Sequence, residues 1–285
     1  MFIKNKIKKY LTQYNSVVVW GAGGLAKTAL KYWLPKDKIT YIIDDYAHKK
    51  NEQIYGKDVF SSQYLKKKKP DLIIVCSSSY LEIFQIIKNM KINIKFRYIY
   101  ELFLLDHDYS SELKNLYIDL IATKNNNFLK LIILKPQILI NITFRLSKHF
   151  KKNIFTFPIY LFFYVLHYIF CAILTIQLPI DVKAGPGLVF AHPGTIVFTG
   201  KADIGSFVTI YHCCTIGMNL KGGSPKIGNF VTIYSGAHVI GNTIINNFSI
   251  IGALSLLLDF KGKSYTTIAG IPAKTKKTFI YEKLN

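Results

Sequence analysis

The chain has 285 residues, enough for about two domains with real cores, and half of its residues are hydrophobic, which excludes a disordered chain. Its 37 Lys and Arg outnumber 16 Asp and Glu for a formal charge of +21. The lysines are spread along the sequence rather than gathered in arginine-rich, aromatic-interleaved blocks, so nucleic acid is disfavoured, and phosphate-bearing ligands or an anionic membrane surface fit at least as well.

Residues 1–9 alternate apolar residues with lysine and lack the long apolar stretch of a secretory leader. Together with four cysteines of no disulfide-framework spacing (Cys76, Cys171, Cys213, Cys214), this predicts a cytoplasmic protein. Residues 1–100 are expected to form the first domain, an α/β unit with a small Rossmann-like parallel sheet of three or four strands. Ser16 to Trp20 is a short buried-type strand, followed by Gly21-Ala22-Gly23-Gly24-Leu25-Ala26 and a helical stretch to about Leu34. A second strand, Ile39 to Ile43, ends in Asp44-Asp45; a third, Leu72 to Val75, precedes helical spacing from Tyr80 to Met90. Lys66 to Lys69 fit a solvated helix end or loop before Pro70.

The glycine segment fits G-x-G-x-x-A, with an acidic residue 23 positions after Gly21 at the end of the next strand. Gly21 permits a tight turn, Gly23 lets backbone N–H groups approach a phosphate, and Gly24 opens the helix whose N-terminus favours negative charge. Asp44 and Asp45 lie where a ribose hydroxyl is held in such units. A nucleotide-bearing ligand, a dinucleotide and a purely structural sheet all remain open on spacing alone.

Residues 101–178 are expected to be a helical, increasingly apolar connector. Ile159 to Ile176 has the length of a membrane span, with only His167 and Thr175 clearly polar. Arg145, Lys148, Lys151 and Lys152 precede it and would hold that end inside, leaving everything after it outside. The expectation is a helix packed on the following domain or lying in the membrane interface over 154–178, its basic flank touching anionic lipid on the inner face, rather than a span.

Residues 179–285 carry aliphatic residues six apart: Ile204, Ile210, Ile216, then Ile227, Ile233, Val239, Ile245, Ile251 and Leu257. Six is neither a helical nor a flat-strand repeat; it is that of a parallel β-helix, with one short strand and a corner per hexapeptide and three hexapeptides per coil. Glycines directly after Ile204, Ile216, Ile227 and Ile251 are placed where a corner needs a permissive backbone. A solenoid of this kind needs several coils and a capped end. Cys213-Cys214 beside His212 has too few partners for a tetrahedral site, so both thiols are expected to fill the coil and no metal is expected.

This repeat resembles that of the hexapeptide-repeat acyltransferases. Gly187 to Gly194, with His192, is similar to the active-site strand of the serine acetyltransferase branch, and Ala269-Gly270-Ile271-Pro272-Ala273-Lys274 to the tail that closes over acetyl-CoA. The resemblance covers about 177–277 and implies a left-handed β-helix, a homotrimer and acetyl-CoA as co-substrate. It makes His192 the general base, an imidazole largely neutral near pH 7. His212 either orients substrate or is a surface rung, and His238 is structural.

The branch's aspartate fifteen residues before the histidine is Gln177 here, which can accept a hydrogen bond but cannot balance an imidazolium; Asp181 is a substitute orienter. The branch's histidine before the loop-ending proline is Ser224. Ile216 and Ile227 are eleven apart, so Gly217 to Pro225 leaves the coil as a loop, and the resemblance puts Gly217 and Lys221 beside the pantetheine groove. It likewise makes Ala253, Ala273 and Lys274 acetyl-CoA contacts. The N-terminal region resembles that of nucleotide-sugar acyltransferases of the sialic-acid and bacillosamine type. The resulting expectation is an acetyl-CoA-dependent O-acetyltransferase, less readily N-, acting on a sugar or nucleotide-linked sugar in surface-polysaccharide assembly. Its rivals are a serine O-acetyltransferase and a non-catalytic trimerising scaffold.

Overall fold

The computed structural model describes residues 2–49, 52–105, 107–123, 132–151 and 153–279. The chain divides into two compact units, one up to His107 and one from Asp108 to Thr278. In the first, helix α1 (Phe2–Leu11) precedes β1 (Val17–Trp20), α2 (Gly24–Thr28, continued by a wider turn over Ala29–Trp33), β2 (Ile39–Ile43) and α3 (Asp45–Lys49). Strands β3 (Gln53–Ile54), β4 (Lys57–Phe60) and β5 (Leu72–Val75), helix α4 (Tyr80–Asn89) and strand β6 (Lys95–Tyr98) follow.

The sheet order is β3-β4-β2-β1-β5-β6, with only the β3–β4 pair antiparallel. Strands β1 and β5 lie inside the sheet and are apolar throughout and fully buried, as a strand covered on both faces must be. The sheet has six strands rather than the expected three or four. The additions lie at its two sides, where half-exposed strands carry charge: Lys57 and Asp58 on β4, Lys95 and Arg97 on β6. Tyr55 and Gly56, both with positive φ (51° and 73°), form the two-residue hairpin turn between β3 and β4.

The second unit is a three-sided parallel β-helix closed at its N-terminal end by helices α5 (Glu112–Ala122), α6 (Ile138–Phe150) and α7 (Phe157–Leu174). Its first face stacks Ile176–Gln177, Ile196–Phe198, Thr215–Gly217, His238–Ile240 and Leu256–Leu258; its second stacks Lys183–Ala184, Asp203–Ile204, Lys226–Ile227 and Ile244–Ile245. The third runs from Val189–Phe190 through Thr209–Ile210, Thr232–Ile233 and Ile250–Ile251 to Thr266–Ala269, where Lys274–Thr278 folds back antiparallel. All nine expected ladder residues point inward and none is more than 4% exposed. An earlier coil, Leu178, Ala184 and Phe190, keeps the sixfold spacing within itself, and the loop that carries His192 then widens the step from Phe190 to Phe198 to eight residues.

The corner glycines do a different job from the one expected. Gly205, Gly217, Gly228 and Gly252 do not take positive φ. A Cβ on Gly205 would stand 2.6 Å from the Gly228 carbonyl, and one on Gly228 2.5 Å from Asn247, so glycine is required for close approach between coils. At the corner after the second face the left-handed conformation falls on Phe207, Phe230, Phe248 and Tyr265, three residues after Ile204, Ile227, Ile245 and Gly262. This is a backbone region that bulky residues rarely occupy. Their rings form a near-parallel column, with centroids 5.7, 4.6 and 5.0 Å apart, which compensates for the unfavourable φ.

The first coil has no coil beneath it, so its backbone groups need other partners. Polar side chains on and just before α6 supply most of them. Gln137 donates to Phe190 O and Ala191 O (3.2 Å each), Asn141 to Leu188 O (2.9 Å), Arg145 to Ala184 O (2.7 Å) and Gly185 O (2.6 Å), and Lys148 to Val182 O (2.7 Å). Asp119 on α5 accepts from Gly187 N and Leu188 N (2.6 and 3.0 Å), and His167 on α7 contacts Leu178 O at 2.7 Å. Arg145 and Asp119 are wholly buried and paired at 2.9 Å, with Glu112 3.0 Å from Arg145. Burial pushes the Asp119 carboxyl up, with the Arg145 guanidinium pulling against it.

The basic flank expected to meet lipid is thus spent on the protein itself. Arg145 and Lys148 cap the coil and Lys151 pairs with Asp181 at 3.2 Å, while Lys152 lies outside the described residues.

Candidate functional site

The third and first faces meet at a corner, and His192 stands there, exposed, two residues past inward-facing Phe190. Extending the strand register places His212, Ser235, Ala253 and Gly270 above it, one per coil. At about 4.8 Å per coil this column runs about 19 Å from His192 to Gly270. The His192 ring lies 6.0 Å from that of His212 and 5.9 Å from that of Tyr211, which stacks on Tyr234 at 4.9 Å. Among the described residues the His192 ring has no hydrogen-bond partner, and the side chain is exposed.

The loop carrying His192 is held from below. Gly194 takes φ +118°, which turns the chain back, and Gly194 N donates to Leu174 O (3.2 Å) at the end of α7. Thr195 N donates to the Thr175 hydroxyl and Ile196 N to Thr175 O, both at 3.0 Å. Cys214 is buried two residues before Ile216, with its thiol pushed up by burial and bonded to Tyr234 O at 3.2 Å. Cys213 is exposed with φ +58°. Among the described residues no group of three or more His, Cys, Asp or Glu could hold a metal.

The other expected site residues divide. Gln177 is exposed in the bottom strand of the first face, beside Val197, and makes no hydrogen bond to His192; Asp181 is tied to Lys151. Neither acts as an orienter within the chain. Gly217 and Lys221 lie at the far edge of the first face, where Asn219 braces the loop by donating to Asp259 (3.0 Å) and accepting from Lys221 N and Gly223 N. Ser224 Oγ is buried there without a partner. A whole face therefore separates this loop from His192 in one chain.

Ala253 lies in the His192 column, and the tail turns directly above it. Leu256 N donates to Gly270 O and Ala273 N to Leu256 O, so Ala273 is buried while Lys274 opens the exposed final strand. Tyr211 and Tyr234 were not anticipated. Their positions, one residue after inward Ile210 and Ile233, mark them as outward side chains of adjacent coils.

In the first unit, Gly21 takes φ +127°, and a Cβ there would stand 2.6 Å from Cys76 O, so only glycine fits. Gly23 is extended and, like Gly24, faces open space. The acidic pair is committed to its own backbone. Asp44 accepts from Ala22 N (2.8 Å), Tyr46 N and Ala47 N (3.0 Å each), and Asp45 from Ser62 N at 2.7 Å.

Residues 13–96 match the family model described as C2185-like, N-terminal. No curated protein matches the chain in sequence. Among solved structures it is similar to a serine acetyltransferase from Brucella abortus strain S19 in complex with coenzyme A (TM-score 0.51, 24% identity, 60% of this chain and 70% of that one). It is similar to a serine O-acetyltransferase from Brucella melitensis at TM-score 0.51 and 24% identity over 60% of this chain and 69% of that one. The soybean serine acetyltransferase apoenzyme gives TM-score 0.48 and 25% identity over 58% and 69%. The fold is thus an N-terminal α/β region, a helical middle and a C-terminal run of short parallel strands, the last matching the left-handed β-helix of hexapeptide-repeat acyltransferases that the two Brucella structures carry.

Proposed function

We propose that the chain is an acetyl-CoA-dependent acetyltransferase acting on a hydroxyl, with His192 as general base. The observation that carries this is His192, exposed and without a hydrogen-bond partner among the described residues, in a column that continues through His212 to three small residues, Ser235, Ala253 and Gly270, and so to the C-terminal hairpin. Such a column leaves a smooth trough in which an extended thioester arm lies along the coil axis, its acyl end at His192 and its phosphates near Lys274. The imidazole takes the acceptor's proton as its oxygen attacks the thioester carbon, and the CoA thiolate leaves. His212, one coil above, positions the acceptor.

Two acceptor readings follow. Serine acetylation is the one supported by the fold likeness, since both Brucella proteins are named for it, one of them as a serine O-acetyltransferase. A sugar or nucleotide-linked sugar, as in surface-polysaccharide assembly, is supported by the wall around His192. Residues 191–194, 211–213 and 234–236 include no Asp, Glu, Lys or Arg to hold a zwitterion, whereas stacked Tyr211 and Tyr234 suit the apolar face of a sugar ring. Release of CoA thiol from acetyl-CoA with L-serine, against a panel of sugars and nucleotide sugars, separates them. Turnover with serine alone overturns the sugar reading, and turnover with none overturns the enzyme reading.

The open His192 corner and the loop at Lys221 meet if three solenoids pack side by side, so we assign a homotrimer with sites between subunits. Light scattering on an active, monodisperse monomer would refute it. We also assign the Gly21 loop to a nucleotide-bearing ligand. A Cβ at Gly23 would meet no atom within 4 Å, so Gly23→Val should cost no more than about 1 kcal/mol, the loss of a tolerated N-cap residue, while weakening that ligand. Calorimetry with nucleotide sugars and with NAD checks it; saturable binding of NAD alone replaces the ligand, and silence from both leaves a structural sheet.

A further inference from the structure

Helix α7 differs from every other helix described. With the single turn Ile154–Thr156 ahead of it, it makes a run of 21 residues, Ile154–Leu174, in which an 18-residue stretch has a mean hydropathy of 2.0 and only 11% of its residues buried. Ile154, Phe155, Phe162, Val165, Ile169 and Ile173 are 78, 91, 61, 50, 48 and 67% exposed, a contiguous apolar surface of the kind soluble monomers avoid. No Asp, Glu, Lys or Arg interrupts it.

Its inner side is fixed. His167 is wholly buried, in contact with the Thr143 hydroxyl (3.0 Å) and Leu178 O (2.7 Å), and Phe163 stacks on Phe150 of α6 at 5.9 Å. The same α6 carries the buried Arg145 and the side chains that cap the first coil, and Leu174 leads straight into that coil. A spanning orientation would drag this polar cap into hydrocarbon, at a cost that no contact in the structure offsets.

Three observations decide what covers the outer side. The exposed positions from Phe157 to Ile159 around the helix sweep about 200° of arc, twice the stripe that packing on one rigid partner needs, whereas fluid lipid follows a cylinder. Tyr160, Tyr164 and Tyr168 run along the border of that arc in ring contact, at 5.6 and 4.9 Å, where amphipathic rings sit at a headgroup boundary. Beyond the flank engaged by the first coil, the unit that carries α7 is itself basic, with 17 Lys and Arg against 6 Asp and Glu over residues 108–278, a net +11 that complements an anionic surface.

We propose that the outer face of α7 is buried in one leaflet of an anionic lipid bilayer, which it lies in without crossing. This is independent of the acetyl-transfer reading. The test is flotation of the full chain on a density gradient with vesicles of phosphatidylcholine containing 30% phosphatidylglycerol. The wild type should rise with the vesicles, and alkaline carbonate should strip it from them. Phe155→Ser/Phe162→Ser/Ile169→Ser, which touches only exposed positions, should lower partition about a hundredfold with an unchanged melting curve. His192→Ala should float like the wild type, so loss of acetyl transfer and loss of docking are told apart. Wild type that stays at the bottom, or a triple variant that floats equally well, overturns the proposal. So does retention through carbonate, which means a span. A drop in particle size of the triple variant without lipid makes a second copy of the chain the occupant instead.

Discussion

The His192 corner and the Gly21 loop both carry residue types that point to a ligand, yet the fold treats them in opposite ways. At the corner the imidazoles of His192 and His212 project from the solenoid, and the His192 ring has no hydrogen-bond partner among the described residues. In the loop the Asp44 carboxylate accepts three backbone N–H groups and so fastens the loop to the start of α3. A side chain already saturated by its own backbone has less to offer a ligand than one held in place by its loop with its polar atoms free. The difference teaches that motif spacing finds both places but does not tell reserved groups from committed ones.

The comparison breaks first at His192. His192→Ala should lower turnover by about 10² to 10⁴ while leaving acetyl-CoA affinity intact, measured by thiol release and calorimetry. Unchanged turnover would move the base to His212. A committed group in the same unit should behave in the reverse sense. Removing Arg145 strands Asp119 and two carbonyls in the interior, so Arg145→Ala should cost about 3–5 kcal/mol of stability in denaturant melts. A cost near zero would mean that the cap is dispensable.

Asp44→Ala sharpens the contrast, since it leaves Ala22 N, Tyr46 N and Ala47 N without their acceptor and should destabilise the first unit by about 1–3 kcal/mol. If stability held while nucleotide binding vanished, Asp44 would belong with the reserved groups. The smallest effect is expected at His167, whose pKa is lowered by burial. The unfolded chain then binds the extra proton first, so this contribution is complete above about pH 6.5 and is lost as pH falls through the lower folded value. Melting curves of wild type and His167→Gln between about pH 7 and pH 5 should converge as pH drops.

The solenoid was legible because its repeat is local: a period of six marks inward residues without knowledge of what lies above or below. The strands Ile39–Ile43 and Leu72–Val75 were legible for the same reason, as apolar runs of the right length. The edge strands Gln53–Ile54 and Lys95–Tyr98 were not, since charge on a half-exposed edge masks the pattern. The cap was the least legible part. Gln137, Asn141, Arg145 and Lys148 look like the solvated side of an amphipathic helix, and only partners some 34 to 54 residues away turn them inward. Within the candidate site, His192 was visible through its motif. Tyr211 and Tyr234 became significant only when the register of three coils brought them beside it.

The cap has a further consequence, in time rather than in space. Helices α5 and α6 precede the first coil in the chain, so a ribosome working from the N-terminus has made the template before the strands that need it. Asn141, Arg145 and Asp119 can then set the backbone of residues 184–188 as it emerges, and each later coil pairs with the one already laid down. Growth from that template runs from the helices toward the Lys274–Thr278 strand, and its edge of unpaired backbone is a single coil wide.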